Sequence, residues 1–147
     1  MSQSLVKILI HIVFSTKDRK PLIKPDVETE LYRYIHGVID NKGGKLLVGN
    51  GTADHSHLPI SVGKNEISAL IGTIKRTTSG WMKKRSIHDF YWQRGYGAFS
   101  VSQSQVATVS RYIAEQKKHH AAHDFKDEFR ILCVRHGISL DERYCWE

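Results

Sequence analysis

The sequence predicts an α+β fold of the ferredoxin-like kind, one antiparallel sheet built in the order β-α-β-β-α-β, with additional helices following it. Three observations carry this reading: a Val- and Ile-rich run at Leu5 to Thr16, two amphipathic helical patterns separated by a pair of strand-like segments, and an alternating segment at Ala98 to Val101. With 147 residues the chain is long enough for a hydrophobic core and short for two, so residues 1–147 are read as one domain.

Leu5 to Thr16 is almost continuously apolar, the pattern of a strand covered on both faces, and the polar run Lys17 to Lys20 with Pro21 ends it. From Pro25, suited to a first helical turn, Val27, Leu31, Ile35, Val38 and Ile39 recur at helical spacing until Asn41 to Gly44 stop the pattern. Lys45 to Asn50 and His55 to Val62 read as strands of a hairpin turning through Asn50, Gly51 and Thr52. Asn65 is placed to cap a second helix with the stripe Ile67, Leu70, Ile71, Ile74, Thr78 and Trp81.

After the basic Lys83 to Arg85, the stretch Phe90 to Ser102 reads as a loop entering the fourth strand. Ser102 and Gln105 have capping-box spacing ahead of a helix burying Val106, Val109 and Ile113. A last helix starts near Asp124, buries Phe125, Phe129 and Leu132, and stops at Gly137.

Lys and Arg number 22 against 15 Asp and Glu, a formal charge of +7, which favours a polyanionic partner through phosphate contacts and counterion release. Cys133 and Cys145 form neither a disulfide framework nor a zinc ribbon, so a reduced, cytoplasmic protein is expected. The apolar Leu5 to Phe14 is interrupted by Lys7 and His11 and is far below spanning length, so no membrane association is expected.

Two clusters invite chemistry. His55 and His57, two apart on a strand, leave one face of the sheet and are able to share a cation; surface histidines or hydrogen-bonded ones give the same pattern. Tyr112 and Gln116, four apart on the helix after Ser102, share a partly polar face, as would a packing aromatic beside a solvated amide. Asp54 is a candidate acceptor for a histidine, although strand parity turns it to the opposite face. His119, His120 and His123, beside Lys117 and Lys118, read as a basic helix end.

Five stretches in order, HIVFSTKDR (11–19), NGTADHSHL (50–58), IKRTTSGW (74–81), WQRGYGAFSVS (92–102) and YIAEQKKHH (112–120), resemble the single-tyrosine HUH transposases of small bacterial insertion sequences. With the tail around Phe125 to Gly137 the resemblance spans nearly the whole chain. It implies a ferredoxin-like homodimer that recognises hairpins of single-stranded DNA at element ends, with active sites shared between subunits. By position it implies His55 and His57 as metal ligands, Tyr112 as nucleophile and Gln116 as a third ligand on the tyrosine's helix. A hard divalent ion, Mg2+ or Mn2+, suits nitrogen, amide oxygen and phosphate together. Strand cleavage would pass through a 5′-phosphotyrosine.

The chain departs from the family pattern at Ser56, where a bulky apolar residue is usual, and at Pro59. Ser56 is expected to forfeit some core burial, and Pro59 to distort or end its strand. These departures leave open a catalytically decayed or repurposed single-strand-binding copy. Lys75, Arg76 and Lys83 are expected to grip DNA, with Arg85 and Arg94 as loop contacts. Trp92, Tyr96 and Phe99 are candidates either for base stacking or for packing.

Two other readings compete. An RNA-binding module would share the sheet, but the first and fourth strands lack the aromatic consensus. A zinc hydrolase would need a third histidine or carboxylate, and none sits at a recognisable spacing.

Overall fold

The computed structural model describes residues 2–119 and 123–147. Strand β1 (Ile8–Ser15) occupies the middle of an antiparallel sheet, paired on one side with β4 (His55–Val62) and on the other with β5 (Gly97–Ser100). The short β2 (Lys45–Leu46) and β3 (Asn50–Thr52) both pair with the outer side of β4. Helices α1 (Pro25–Asn41) and α2 (Ile67–Lys84) connect these strands, giving the expected β-α-β-β-α-β arrangement with the second strand split into β2 and β3. Helices α3 (Val106–Ala114), α4 (Gln116–His119) and α5 (Phe125–Arg135) follow.

Both faces of β1 are buried, as its unbroken apolar run requires. Even-numbered Ile10, Ile12 and Phe14 meet Leu58 and Ile60 of β4 under α1 and α2, in a core with Leu31, Ile35, Ile71 and Ile74. On the opposite face Val13 and Phe99 pack against Phe125, Phe129 and Leu132 of α5. The sheet face that an RNA-recognition domain leaves open is therefore covered by a helix.

Several local expectations need correction. Asn50 to Thr52 is strand, and the chain turns one step later, at Ala53 and Asp54. Gly51 permits the pairing: a Cβ there would lie 2.1 Å from the His55 carbonyl oxygen and 2.9 Å from the Tyr32 hydroxyl. Pro59 does not end β4, which runs on to Val62. Its carbonyl accepts from Leu47 N, so its missing N–H would face the gap between β2 and β3, where no ladder partner is lost. Ser56 is itself fully buried, so the burial given up is only that of a larger side chain; its hydroxyl meets Tyr32 Oη of α1 at 2.9 Å, and burial raises the Tyr32 pKa.

Asn65 does not cap α2; it accepts from Gly63 N and donates to the Lys42 carbonyl, while Glu66 takes the cap position. Met82 rather than Trp81 is the fully buried residue at the end of the α2 stripe, because Trp81 turns outward to stack on Tyr34. The Ser102–Gln105 capping box does not form, since a 3-10 turn (Gln103–Gln105) precedes α3 and Ser102 Oγ pairs with Ser104 Oγ. Helix α5 starts and stops as expected: Asp124 accepts from Asp127 N, and Gly137 ends it at φ 66°.

Candidate active site

His55 and His57 point from β4 toward α3 and α5, and Glu128 of α5 reaches back between them. Oε1 of Glu128 lies 2.6 Å from Nε2 of His57 and 3.5 Å from Nε2 of His55. Its other oxygen, Oε2, accepts hydrogen bonds from the Tyr112 hydroxyl and, at 3.3 Å, from Gln116 Nε2. Both histidines, Gln116 and Glu128 are buried. One carboxylate thus joins the histidine pair to the tyrosine and the amide, and one ligand atom from each of His55, His57 and Glu128 falls within 4.8 Å of the others.

Each histidine is oriented from behind. Nδ1 of His55 donates to Asp54 Oδ1 at 2.6 Å, turning Nε2 inward; burial lowers the His55 pKa, but the Asp54 and Glu128 carboxylates outweigh it and the net direction is upward. Asp54 reaches the ring because it stands in the turn, where strand parity does not apply. Nδ1 of His57 lies 2.7 Å from Nε2 of His11 on β1. Burial, reinforced by His57, depresses the His11 pKa to about 3, so His11 is neutral. A carboxylate only accepts, so without an ion His57 Nε2 donates to Glu128 and its Nδ1 accepts from His11; an ion on Nε2 would move the proton to Nδ1 and reverse the bond to His11.

Tyr112 and Gln116 converge as expected but not on one helix: α3 ends at Ala114, the chain bends at Glu115, and Gln116 opens α4. Asn50 holds this bend against β3, its amide donating to the Ile113 and Ala114 carbonyls at 3.1 Å. Lys117 adds an ion pair of 2.6 Å to Glu28. Burial, then Glu128, raises the Tyr112 pKa. The tyrosine borders a cleft of about 420 Å³ that also contains Thr108, His123 and Arg135. His120 lies outside the described residues.

The donor set fits a divalent cation. Imidazole nitrogens and a carboxylate converge, and Oε1 of Gln116 is buried beside them with no hydrogen-bond partner among the described residues. Glu128 and His11 escaped the sequence reading. Glu128 left a signal, a carboxylate within the apolar stripe Phe125, Phe129, Leu132. His11 interrupted an apolar run, but its partner depended on strand register. Glu128 also supplies the carboxylate whose absence had counted against a zinc hydrolase.

The basic residues divide. Lys75 is engaged inward, donating to the carbonyls of Gln93, Arg94 and Gly95 at 2.8, 3.1 and 2.7 Å, and burial lowers its pKa to about 8. Arg76 and Arg94 are exposed around one shallow cleft, and Lys83 lies over the Tyr91 ring. Arg85 stacks on Trp81 and faces Glu30, away from that group. Trp92 and Phe99 are core, whereas Tyr96 is partly exposed with its hydroxyl on Ser68. Among the described residues no helix is long and apolar enough to cross a membrane.

The fold is shared with two solved structures. A protein from Deinococcus radiodurans R1 provisionally named a transposase superposes with a TM-score of 0.63 at 20% identity, over 79% of this chain and 98% of its own. A REP-associated tyrosine transposase, solved bound to a REP hairpin, superposes at 0.62 with 12% identity, over 82% of this chain and 73% of its own. A comparison with curated protein sequences finds no match. The model of the IS200-like transposase family matches residues 4–116, and the chain belongs to that family.

Proposed function

We propose that the protein is a DNA transposase that cleaves and rejoins single-stranded DNA at hairpins flanking a mobile element, using Tyr112 as nucleophile and a divalent ion, Mg2+ or Mn2+. The observation that carries this is the Glu128 carboxylate bridging the histidine pair to the Tyr112 hydroxyl. His55 and His57 would hold the ion, with Glu128 Oε1 and Gln116 Oε1 as the further oxygen donors. When bound, such an ion supplies positive charge that polarises the scissile phosphate and eases ionisation of the tyrosine.

The chain's own groups do the rest. Asp54 and His11 fix the two imidazoles, and Glu128 Oε2 takes the Tyr112 proton. The phenolate oxygen attacks phosphorus, the bond from phosphorus to the 3′ oxygen breaks, and that oxygen leaves as a 3′-hydroxyl after taking up the proton that Glu128 received. The 5′-phosphotyrosine conserves the ester bond, so another 3′-hydroxyl regenerates Tyr112 and rejoins DNA without a nucleotide cofactor. Arg76, Lys83 and Arg94 hold phosphates, and Lys75 holds the 93–95 loop that presents Arg94. A homodimer is the assembly the family resemblance favours, each chain bringing its own Tyr112 to its own histidine pair.

Labelled hairpin DNA from the flanks of the gene, incubated with manganese or with EDTA, tests this on a denaturing gel. A metal-dependent covalent adduct that disappears in Tyr112→Phe is the expected result. Binding without an adduct across several flanking hairpins would instead identify a copy that keeps the fold and lacks the reaction.

A further inference from the structure

We infer that Tyr91, Lys17 and Lys83 form a subsite for one unpaired nucleotide of single-stranded DNA, the base stacked on the Tyr91 ring and its phosphates held by the two ammonium groups. The inference rests on the reading of the protein as a single-strand DNA enzyme and adds a binding position outside the histidine–tyrosine centre.

Tyr91 stands apart from its neighbours. Phe90 and Trp92 are buried at 0% and 8% exposure, while the Tyr91 ring between them is 52% exposed. Its backbone is held tightly nevertheless. The Tyr91 carbonyl accepts from Lys17 N at 2.7 Å, Gln93 N donates to the Ser15 carbonyl, and Ser15 N donates back to Gln93 Oε1. An aromatic side chain projecting from a fixed backbone is a preorganised stacking platform, with little ordering entropy left to lose on binding.

Two cations flank that platform, Lys83 Nζ at 4.0 Å and Lys17 Nζ at 5.9 Å from the ring centroid. Lys17 owes its place to an unusual turn: Asp18 and Arg19 both have φ of 56°, a left-handed conformation that costs non-glycine residues on the order of 1 kcal/mol or more each. Arg19 secures the turn by donating to the Trp146 carbonyl at 2.9 Å. Beside the ring lies a cleft of about 510 Å³ reaching Arg94, within the size range of small-molecule sites. Asp18 and Glu147 also border it, which confines phosphates to the lysine side.

A nucleotide matches this combination because it offers a flat ring and an anion together. As a base arrives, the ammonium groups exchange the ring face for phosphate oxygens, a stronger charge-assisted contact. The residue before that turn touches the turn leading into the histidine strand, Thr16 N donating to the Asp54 carbonyl at 2.8 Å. A nucleotide held at Tyr91 is therefore registered against the residue that orients His55.

The test uses the full chain and an eight-nucleotide oligothymidylate carrying one 5-iododeoxyuridine. Irradiation should crosslink the probe to the peptide containing Tyr91. By fluorescence anisotropy, Tyr91→Ala should weaken binding roughly five- to hundredfold, the range of base–aromatic stacking, while Tyr91→Phe should bind as the wild type does. Lys17→Gln should reduce the slope of log K against log salt by about 0.7. Wild-type affinity in Tyr91→Ala, with an unchanged melting curve, overturns the subsite, as does a crosslink confined to other peptides. The Tyr112 adduct on flanking hairpins is scored separately. A Tyr91 crosslink without any adduct overturns the transposase reading alone; an adduct with no effect of Tyr91→Ala overturns the subsite alone.

Discussion

Nε2 of His57 and Oε1 of Glu128, 71 positions apart in the chain, lie 2.6 Å from each other in the interior. This pair links the sheet to α5, and the other oxygen of the same carboxylate receives Tyr112. The site is therefore assembled across the second face of the sheet, and its separate parts are open to separate tests.

Glu128→Gln preserves volume but removes the charge between the histidines. Its manganese affinity, read by titration calorimetry, should fall at least roughly tenfold. Gln116→Ala should fall less. If Glu128→Gln binds manganese as the wild type does, the oxygen donation belongs to Gln116 and Glu128 serves the tyrosine only.

Tyr112→Phe should abolish the covalent adduct while retaining DNA affinity. Urea unfolding should show a loss of about 1 kcal/mol, because one hydrogen bond to Glu128 goes and the ring stays. Cleavage at the wild-type rate would falsify the nucleophile assignment.

His11→Phe fills the same space but leaves His57 Nδ1 buried without its donor. A destabilisation of about 1–3 kcal/mol is expected, together with weaker metal binding, since His11 acts by orienting His57. Full stability with unaltered metal affinity would show that His57 needs no support.

Gly51→Ala should be among the most damaging small substitutions, because the added Cβ meets backbone, the His55 carbonyl oxygen at 2.1 Å, which no side-chain rotation relieves. A loss of about 3 kcal/mol or more is expected in urea unfolding. Wild-type stability would mean that β3 separates from β4 at little cost.

Lys75→Met should destabilise the protein by about 1–3 kcal/mol by leaving three carbonyls of the 93–95 loop without their donor. The depressed Lys75 pKa also fixes a pH sign. From about pH 8 upward the folded protein gives up a proton that the unfolded chain keeps until the ordinary lysine range, so this residue makes stability rise with pH across that window. The difference between wild type and Lys75→Met, followed from pH 8 to 9.5, should therefore grow toward the alkaline end. A flat difference would show that the ammonium stays charged, held by its carbonyls.

Local periodicity and the capping and stop residues Asp124 and Gly137 suffice for the order of strands and helices along the chain, the buried faces of α1 and α5 and both ends of α5, whereas the α3 stripe keeps only Ile113 buried. The sequence by itself also determined that His55 and His57 share a face, since strand parity is local. It could not anticipate the Asp54 contact or the uninterrupted β4: the first depends on a turn placed one residue later than Asn50 and Gly51 suggest, the second on Pro59 facing a gap between two strands. Glu128 and His11 enter the site only through long-range packing. Their partners lie 71 and 46 positions away, and only the β1–β4 register and the seating of α5 on the sheet bring those polar atoms together. Burial made the convergence obligatory, because a carboxylate and two imidazoles taken from water into that interior must satisfy one another or hold an ion.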